Sequence, residues 1–361
     1  MVELDQRLNS YVPLEPSGGK PSDDTKGFLR LLWTMLPPGG KENLAKDILK
    51  GKDGEPRPDD EALRQLVQSI RSGLLIPMKA QGGKTPTEVT PSPRSGVEDS
   101  VEDIKGKSIE PISRNPHSKL RKNCLERDGY KCMATHQYSI DHPHPKSART
   151  TYLEAAHIIP YTLGIFQPLD GKDVDRHAKI WINLRRYFPV LRAMSEDLKL
   201  INCEENMLML DSQLHKGFGQ FKLIFEATGV PNQYRIKTFT GMPTGPIQNL
   251  PKKRLVLFRV HQGHWKLPDP QFLQVHACIG TFLHMSGQGE SMDKVINHFR
   301  ECGGLAPSGS TNIEETLAVS SLSLLPANVE ESPESPKPKM KQRPAQEQSQ
   351  AKSLDYENKR L

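Results

Sequence analysis

His157 closes the segment Tyr152-Leu-Glu-Ala-Ala-His-Ile-Ile-Pro160, Asn206 opens Asn-Met-Leu-Met-Leu-Asp211, and His215 lies nine residues beyond that asparagine. An imidazole, with an ordinary pKa of about 6.5, accepts a proton from water near neutral pH. A second imidazole is a normal ligand for Zn²⁺ and related transition ions. A carboxamide both donates and accepts hydrogen bonds, so it can bridge two chain segments and hold a neighbouring ring. Together these side chains suit a hydrolysis in which a base activates water and a cation offsets the charge that develops.

The flanking residues predict the elements that must position them. Small and apolar residues around His157 read as a half-buried strand that Pro160 ends. Alternation places Leu153, Ala155 and His157 on one face and Glu154, Ala156 and Ile158 on the other. Asn206 to Asp211 reads as a short buried strand, and Asp211 or Ser212 as the N-cap of a helix carrying His215 in its first turn. Glu154 and Asp211 are the carboxylates available to join an ion there. Each residue also has an ordinary reading: a strand histidine in a core, an aspartate that only caps. Upstream, Lys119 to Arg127 reads as a helix, Asp128-Gly129 as a turn and Tyr130 to Thr135 as a short strand.

The flanks sharpen the pattern: Glu-Ala-Ala-His157-Ile-Ile-Pro before it, and Leu214-His-Lys-Gly-Phe-Gly-Gln-Phe-Lys222 after it. With the Arg127-Asp-Gly129 turn and Cys132 upstream, this order resembles the HNH endonuclease-like domains common in fungal proteins, over residues 112–240. The resemblance implies an α+β fold with a ββα-metal core, one divalent ion (Mg, Mn or Zn) and a nucleic-acid substrate, DNA ahead of RNA, whose phosphodiester bonds are hydrolysed. It assigns His157 as general base, Asn206 as the orienting residue and His215 as a metal ligand, with Glu154 and Asp211 as compensating donors. Ala156 stands where many active members carry Asp or His, and Gly219 where many carry a carboxylate or His. Thr135 replaces the second cysteine of the knuckle, so no structural zinc is expected and Cys132 reads as a small buried residue. These departures leave a second reading, an HNH fold without catalysis that binds nucleic acid or protein.

Around this domain the chain divides into a helical region at 1–78, a flexible linker at 79–111, the HNH-like domain with its extension at 112–302 and a disordered tail at 303–361. Within the first region, residues 1–22 read as loose, 24–50 as a helix broken at Pro37-Pro38-Gly39-Gly40, and 60–75 as amphipathic. These helices are expected to cap the main domain, to pack on themselves or to dock a protein partner. In the insert between the two histidines, Val174 to Arg192 reads as a helix with Ile180, Trp181, Leu184 and Tyr187 inside and Arg185 and Arg186 outside. Arg185 and Arg186, with Lys216, Lys252, Lys253 and Arg254, are the candidate phosphate contacts.

The formal charge of +6 is compatible with a polyanionic partner and equally with a solvated mixed-charge surface. A hydrophobic fraction of 35% with 30 prolines implies that much of the length packs into no core. Five cysteines with no Cys-x-x-Cys pair argue against a secreted disulfide framework, so a reducing compartment, nucleus or cytosol, is expected. The first residues lack the pattern of a signal peptide, and no apolar run approaches the roughly 18 residues of a membrane span.

Overall fold

The computed structural model describes residues 2–15, 23–49, 59–79, 117–166, 168–289 and 292–293. The linker expected at 79–111, save for Lys79, and the tail expected at 303–361, with its basic run Ser335–Arg343, lie outside the described residues.

The chain opens with helices α1 (Val2–Asn9), α2 (Thr25–Met35), α3 (Pro38–Leu49) and α4 (Asp60–Ile70). The expectation of a loose start is overturned at α1. Leu4 and Leu8, one helical turn apart, are both buried, and Tyr11 follows them into the core. Two leucines are too few for a convincing period on their own, so the helix owes its stability to docking. The break expected near Pro37 falls between α2 and α3, where proline begins the second helix rather than ending it. Beyond α4 the chain continues through one wide π-turn, Arg71–Leu75, into the short helix Ile76–Lys79.

The next described stretch begins with α5 (His117–Arg127) and a turn with left-handed backbone at Gly129 and Tyr130. The strand expected over Tyr130–Thr135 is instead a tight turn. The Cys132 carbonyl accepts from His136 N at 2.8 Å, and only Lys131 makes a bridge, to Tyr138. Strands β1 (Tyr138–Ser139) and β2 (Thr150–Thr151) pair in parallel. β3 (Leu153–His157) then pairs antiparallel with β4 (Met207–Asp211), in a register running from Leu153 opposite Asp211 to His157 opposite Met207. Between these two strands the insert holds helix α6 (Gly171–Tyr187). Helix α7 (Ser212–Gly219) follows β4 directly and packs back on β3. An antiparallel sheet of β5 (Leu223–Ala227), β6 (Gln233–Thr238) and β7 (Leu255–Leu257) comes next, and α8 (Pro270–Met285) lies against β5.

The apolar side chains gather in two cores. One takes Leu153, Ala156, all four apolar residues of β4, Leu214 and Phe218 of α7, and Phe225, Tyr234 and Ile236 of the sheet. The other joins the N-terminal helices to the insert: Leu29, Leu44, Leu63 and Ile70 pack with Trp181, Leu184, Tyr187 and Leu191. α8 serves both, with Leu273 in the first and Ile279, Phe282 and Leu283 in the second. The N-terminal helices therefore cap the insert. The contact is close: a Cβ on Gly40 of α3 would run into the Tyr187 carbonyl.

This packing corrects the solvent-facing placement of Arg185 and Arg186. Arg185 is 1% exposed. Arg186 Nε donates to Asp47 Oδ2 at 2.9 Å, and Tyr187 Oη donates to the same oxygen at 3.0 Å. The face that reads as solvated in an isolated helix is the face that α3 covers. Neither arginine is carried forward as a phosphate contact.

Two buried imidazoles give the fold an acid limit. His276 stacks between Phe218 and Phe221 at centroid distances of 3.8 and 4.4 Å, and its Nε2 donates to the Phe218 carbonyl at 3.0 Å. Its buried Nδ1 has no hydrogen-bond partner, and burial pulls its pKa down to about 3. His177, held by the Leu163 carbonyl at 2.9 Å, is pulled down to about 4 by burial. Both stay neutral when folded and titrate near 6.5 when unfolded, so the unfolded chain binds more protons between those values. Their contribution is complete above about pH 6.5 and is lost as pH falls, by up to about 1.4 kcal/mol per pH unit for each. The thermal midpoint is expected to drop steadily between about pH 6 and pH 4, with a shallower slope in His276→Leu. An unchanged slope in that variant would refute the assignment.

Candidate active site

Glu154 and His157 lie on β3, Asp211 ends β4 and His215 lies on α7, while Asn206 sits in the single 3-10 turn Glu204–Asn206 just before β4. α7 starts where it does because Asp211 caps it: Oδ1 accepts from Gln213 N at 3.0 Å and from Leu214 N at 3.2 Å. The other carboxylate oxygen accepts from Thr151 Oγ1. Asp211 is thus engaged as the cap of α7 and by Thr151 of β2. The cap sets the first turn of α7 over β3, and His215 Nδ1 meets Glu154 Oε2 at 2.6 Å. Both partners are reachable from solvent, their side chains being 35% and 50% exposed.

Asn206 is fully buried and acts on backbone rather than on the imidazole. Its Oδ1 accepts from Ile159 N at 2.8 Å, and its Nδ2 donates to the carbonyls of Ile159 and Ile201, each at 2.9 Å. The main chain of Asn206 also accepts from Ile158 N at 2.9 Å. These bonds lock the backbone just past His157 against the end of the insert. The amide that faces the ring is Asn202, whose Oδ1 lies 3.1 Å from His157 Nε2. Tyr161 lies beside the half-buried ring, at a centroid distance of 5.6 Å.

Reasoning from spacing missed Asn202 because an asparagine in Leu-Ile-Asn202-Cys has no local signature. It also missed Arg121, on α5, whose Nη2 donates to the Leu153 carbonyl at 3.0 Å and brings a cation to the edge of β3. Cys132 is fully buried; its Sγ accepts from Asp211 N at 3.3 Å, and burial pushes its thiol up, which disfavours the thiolate that binds metal. Lys216, beside His215, is exposed, as are Lys252 and Lys253 ahead of β7, while Arg254 is half-buried with left-handed backbone at φ +55°.

The Glu154–His215 pair supplies one carboxylate oxygen and one imidazole nitrogen, a combination that suits borderline ions such as Zn²⁺ or Mn²⁺ better than Mg²⁺, which favours oxygen donors. Among the described residues no group of three or more His, Cys, Asp or Glu is arranged to hold a metal. A cation at this pair would have two protein donors, with its other positions left to solvent and substrate.

Residues 132–226 match the family model described as HNH endonuclease. The match supports an HNH endonuclease-like domain over that stretch, and such a domain suggests a nuclease-like, nucleic-acid-related role. No curated protein and no solved structure matches the chain. Among the described residues no helix is long and apolar enough to cross a membrane.

Proposed function

We propose that this protein is a metal-dependent HNH endonuclease that hydrolyses phosphodiester bonds in DNA, and that β3, β4 and α7 are its ββα-metal core. The observation that carries the reading is the Glu154–His215 contact, which brings an exposed carboxylate from the strand that bears His157 against an imidazole from the following helix. Two such groups at the surface add little as a structural pair, whereas they form a donor pair for a cation. A bound ion would supply charge neutralisation at the scissile phosphate. The chain's own contribution is a base and its supports. His157, three residues from Glu154 on the opposite face of β3, is the base assigned to the attacking water, and Asn202 holds its ring through Nε2. Asn206 fixes the backbone from which the ring projects. Exposed Lys216, next to the donor pair, offsets phosphate charge.

A second reading, an HNH fold that binds nucleic acid without cutting it, is favoured by one observation: among the described residues no third His, Cys, Asp or Glu joins Glu154 and His215 in a metal-holding group. The two readings separate in one experiment. Purified protein is incubated with plasmid and single-stranded circular DNA in Mg²⁺, Mn²⁺ or Zn²⁺, and ion binding is followed by calorimetry. Cleavage with Mn²⁺ or Zn²⁺ exceeding that with Mg²⁺, and lost in Glu154→Gln and His215→Ala, is the expected result. DNA binding without cleavage under any ion would establish the second reading.

A further inference from the structure

Tyr152 occupies the position before β3, and the residue is 64% exposed. It is the one aromatic ring among the large apolar side chains that stand open to solvent in the described residues. Its backbone is nonetheless fixed. The Tyr152 carbonyl accepts from Ser212 N, the first residue of α7, at 3.2 Å. Thr151, the preceding residue, donates its hydroxyl to the Asp211 cap. Leu153, the following residue, is buried at 3% exposure, and its carbonyl accepts from Arg121.

The run Tyr152 exposed, Leu153 buried, Glu154 exposed follows strand alternation. The phenol ring and the Glu154 carboxylate therefore leave the chain on the same side, two residues apart. That spacing is about 7 Å along an extended backbone. Glu154 is the residue that meets His215. An aromatic face thus stands on a rigid backbone, next to the donor pair and within the reach of a single nucleotide.

Besides Glu154, exposed basic groups lie on the adjoining segments. Arg149 and Lys146 are exposed on the loop leading into β2, and Lys216 is exposed beside His215. Cationic groups attract phosphates, and a flat aromatic ring among them stacks on a base whatever its identity. A duplex keeps its bases stacked on each other and offers none to such a ring. An unpaired base is free to lie on it.

We infer that Tyr152 is a stacking platform for an unpaired nucleobase next to the scissile phosphate, and that the site prefers single-stranded or locally opened nucleic acid over continuous duplex. The inference rests on the nucleic-acid reading above and names its substrate class. Tyr152 acts in it as a positioning residue.

The test is equilibrium binding of the full chain to an end-labelled single-stranded oligonucleotide and to the matched duplex. It is followed by fluorescence anisotropy in chelator, so that no cleavage intervenes. Tyr152→Ala is expected to weaken single-strand binding about tenfold, the loss of one stacked base, and to leave duplex binding within about twofold. Tyr152→Phe, which keeps the ring, is expected to bind as the wild type does. Equal losses on both ligands, or no loss on the single strand, would overturn the platform while leaving the nucleic-acid reading intact. A wild-type chain that binds neither ligand would overturn both.

Discussion

Replacing Arg127 by alanine is expected to cost about 3–5 kcal/mol of stability, the range for removing one partner from a buried ion pair. Arg127 is 0% exposed and Asp128 4%. The guanidinium meets both Asp128 oxygens, Nε to Oδ1 at 2.6 Å and Nη2 to Oδ2 at 3.0 Å. It also donates to the carbonyls of Glu204, Met207 and Lys266, at 2.7, 2.8 and 3.1 Å. One side chain thus ties the end of α5 to the start of β4 and to the loop before α8. Alanine strands three carbonyls and one carboxylate away from water, and each orphaned polar group carries its own desolvation cost. Burial already pushes the Asp128 carboxyl up against the pull of Arg127, so without the guanidinium Asp128 is expected to take up a proton. The double variant Arg127→Ala, Asp128→Asn should therefore lose less than the two single losses added together. Chemical denaturation measures this. A single-variant loss below about 1 kcal/mol, or strict additivity, would contradict the account.

The second large effect concerns chemistry rather than folding. His157→Ala is expected to lower DNA cleavage by about 10²–10⁴-fold, the usual contribution of a general base, with the thermal midpoint nearly unchanged because the ring is only half-buried. Asn202→Ala, which frees the ring from its 3.1 Å partner, should lower cleavage less and shift its pH dependence. That shift is the readout a merely structural amide would not move. Cleavage at the wild-type rate in His157→Ala would remove the histidine from the mechanism, and a midpoint falling in step with activity would make it structural.

How legible the centre was varies from residue to residue for physical reasons. β3, β4 and α7 were readable because their signals are local: small and apolar residues before a proline, an apolar run, then an aspartate that caps a helix. His215 and Glu154 stood in that short-range pattern, so their elements could be assigned before their contact was known. Asp211 was ambiguous for the same reason, since a carboxylate at a cap and a carboxylate at a metal look alike in sequence. In the structure its carboxylate caps α7 and accepts from Thr151. Asn206 was identified as a bridging amide, but its bonds fall on the backbone of Ile159 and Ile201, and the ring is met by Asn202.

The larger surprises came from contacts between segments far apart in the chain. α1 is anchored by two leucines and a tyrosine whose partners lie in later helices, so no local period announces it. Arg185 and Arg186 follow the same logic. An amphipathic pattern marks a helix's apolar stripe, but α6 is covered on a further side by α3, and an arginine there meets Asp47 rather than solvent. Hydrogen bonds within a turn, strand alternation and helix caps act over a few residues, so the order of side chains along the chain carries them, and with them the HNH pattern itself. Which faces become interior, which amide reaches the imidazole and which exposed ring stands beside the donor pair depend on segments that meet only when the chain closes on itself.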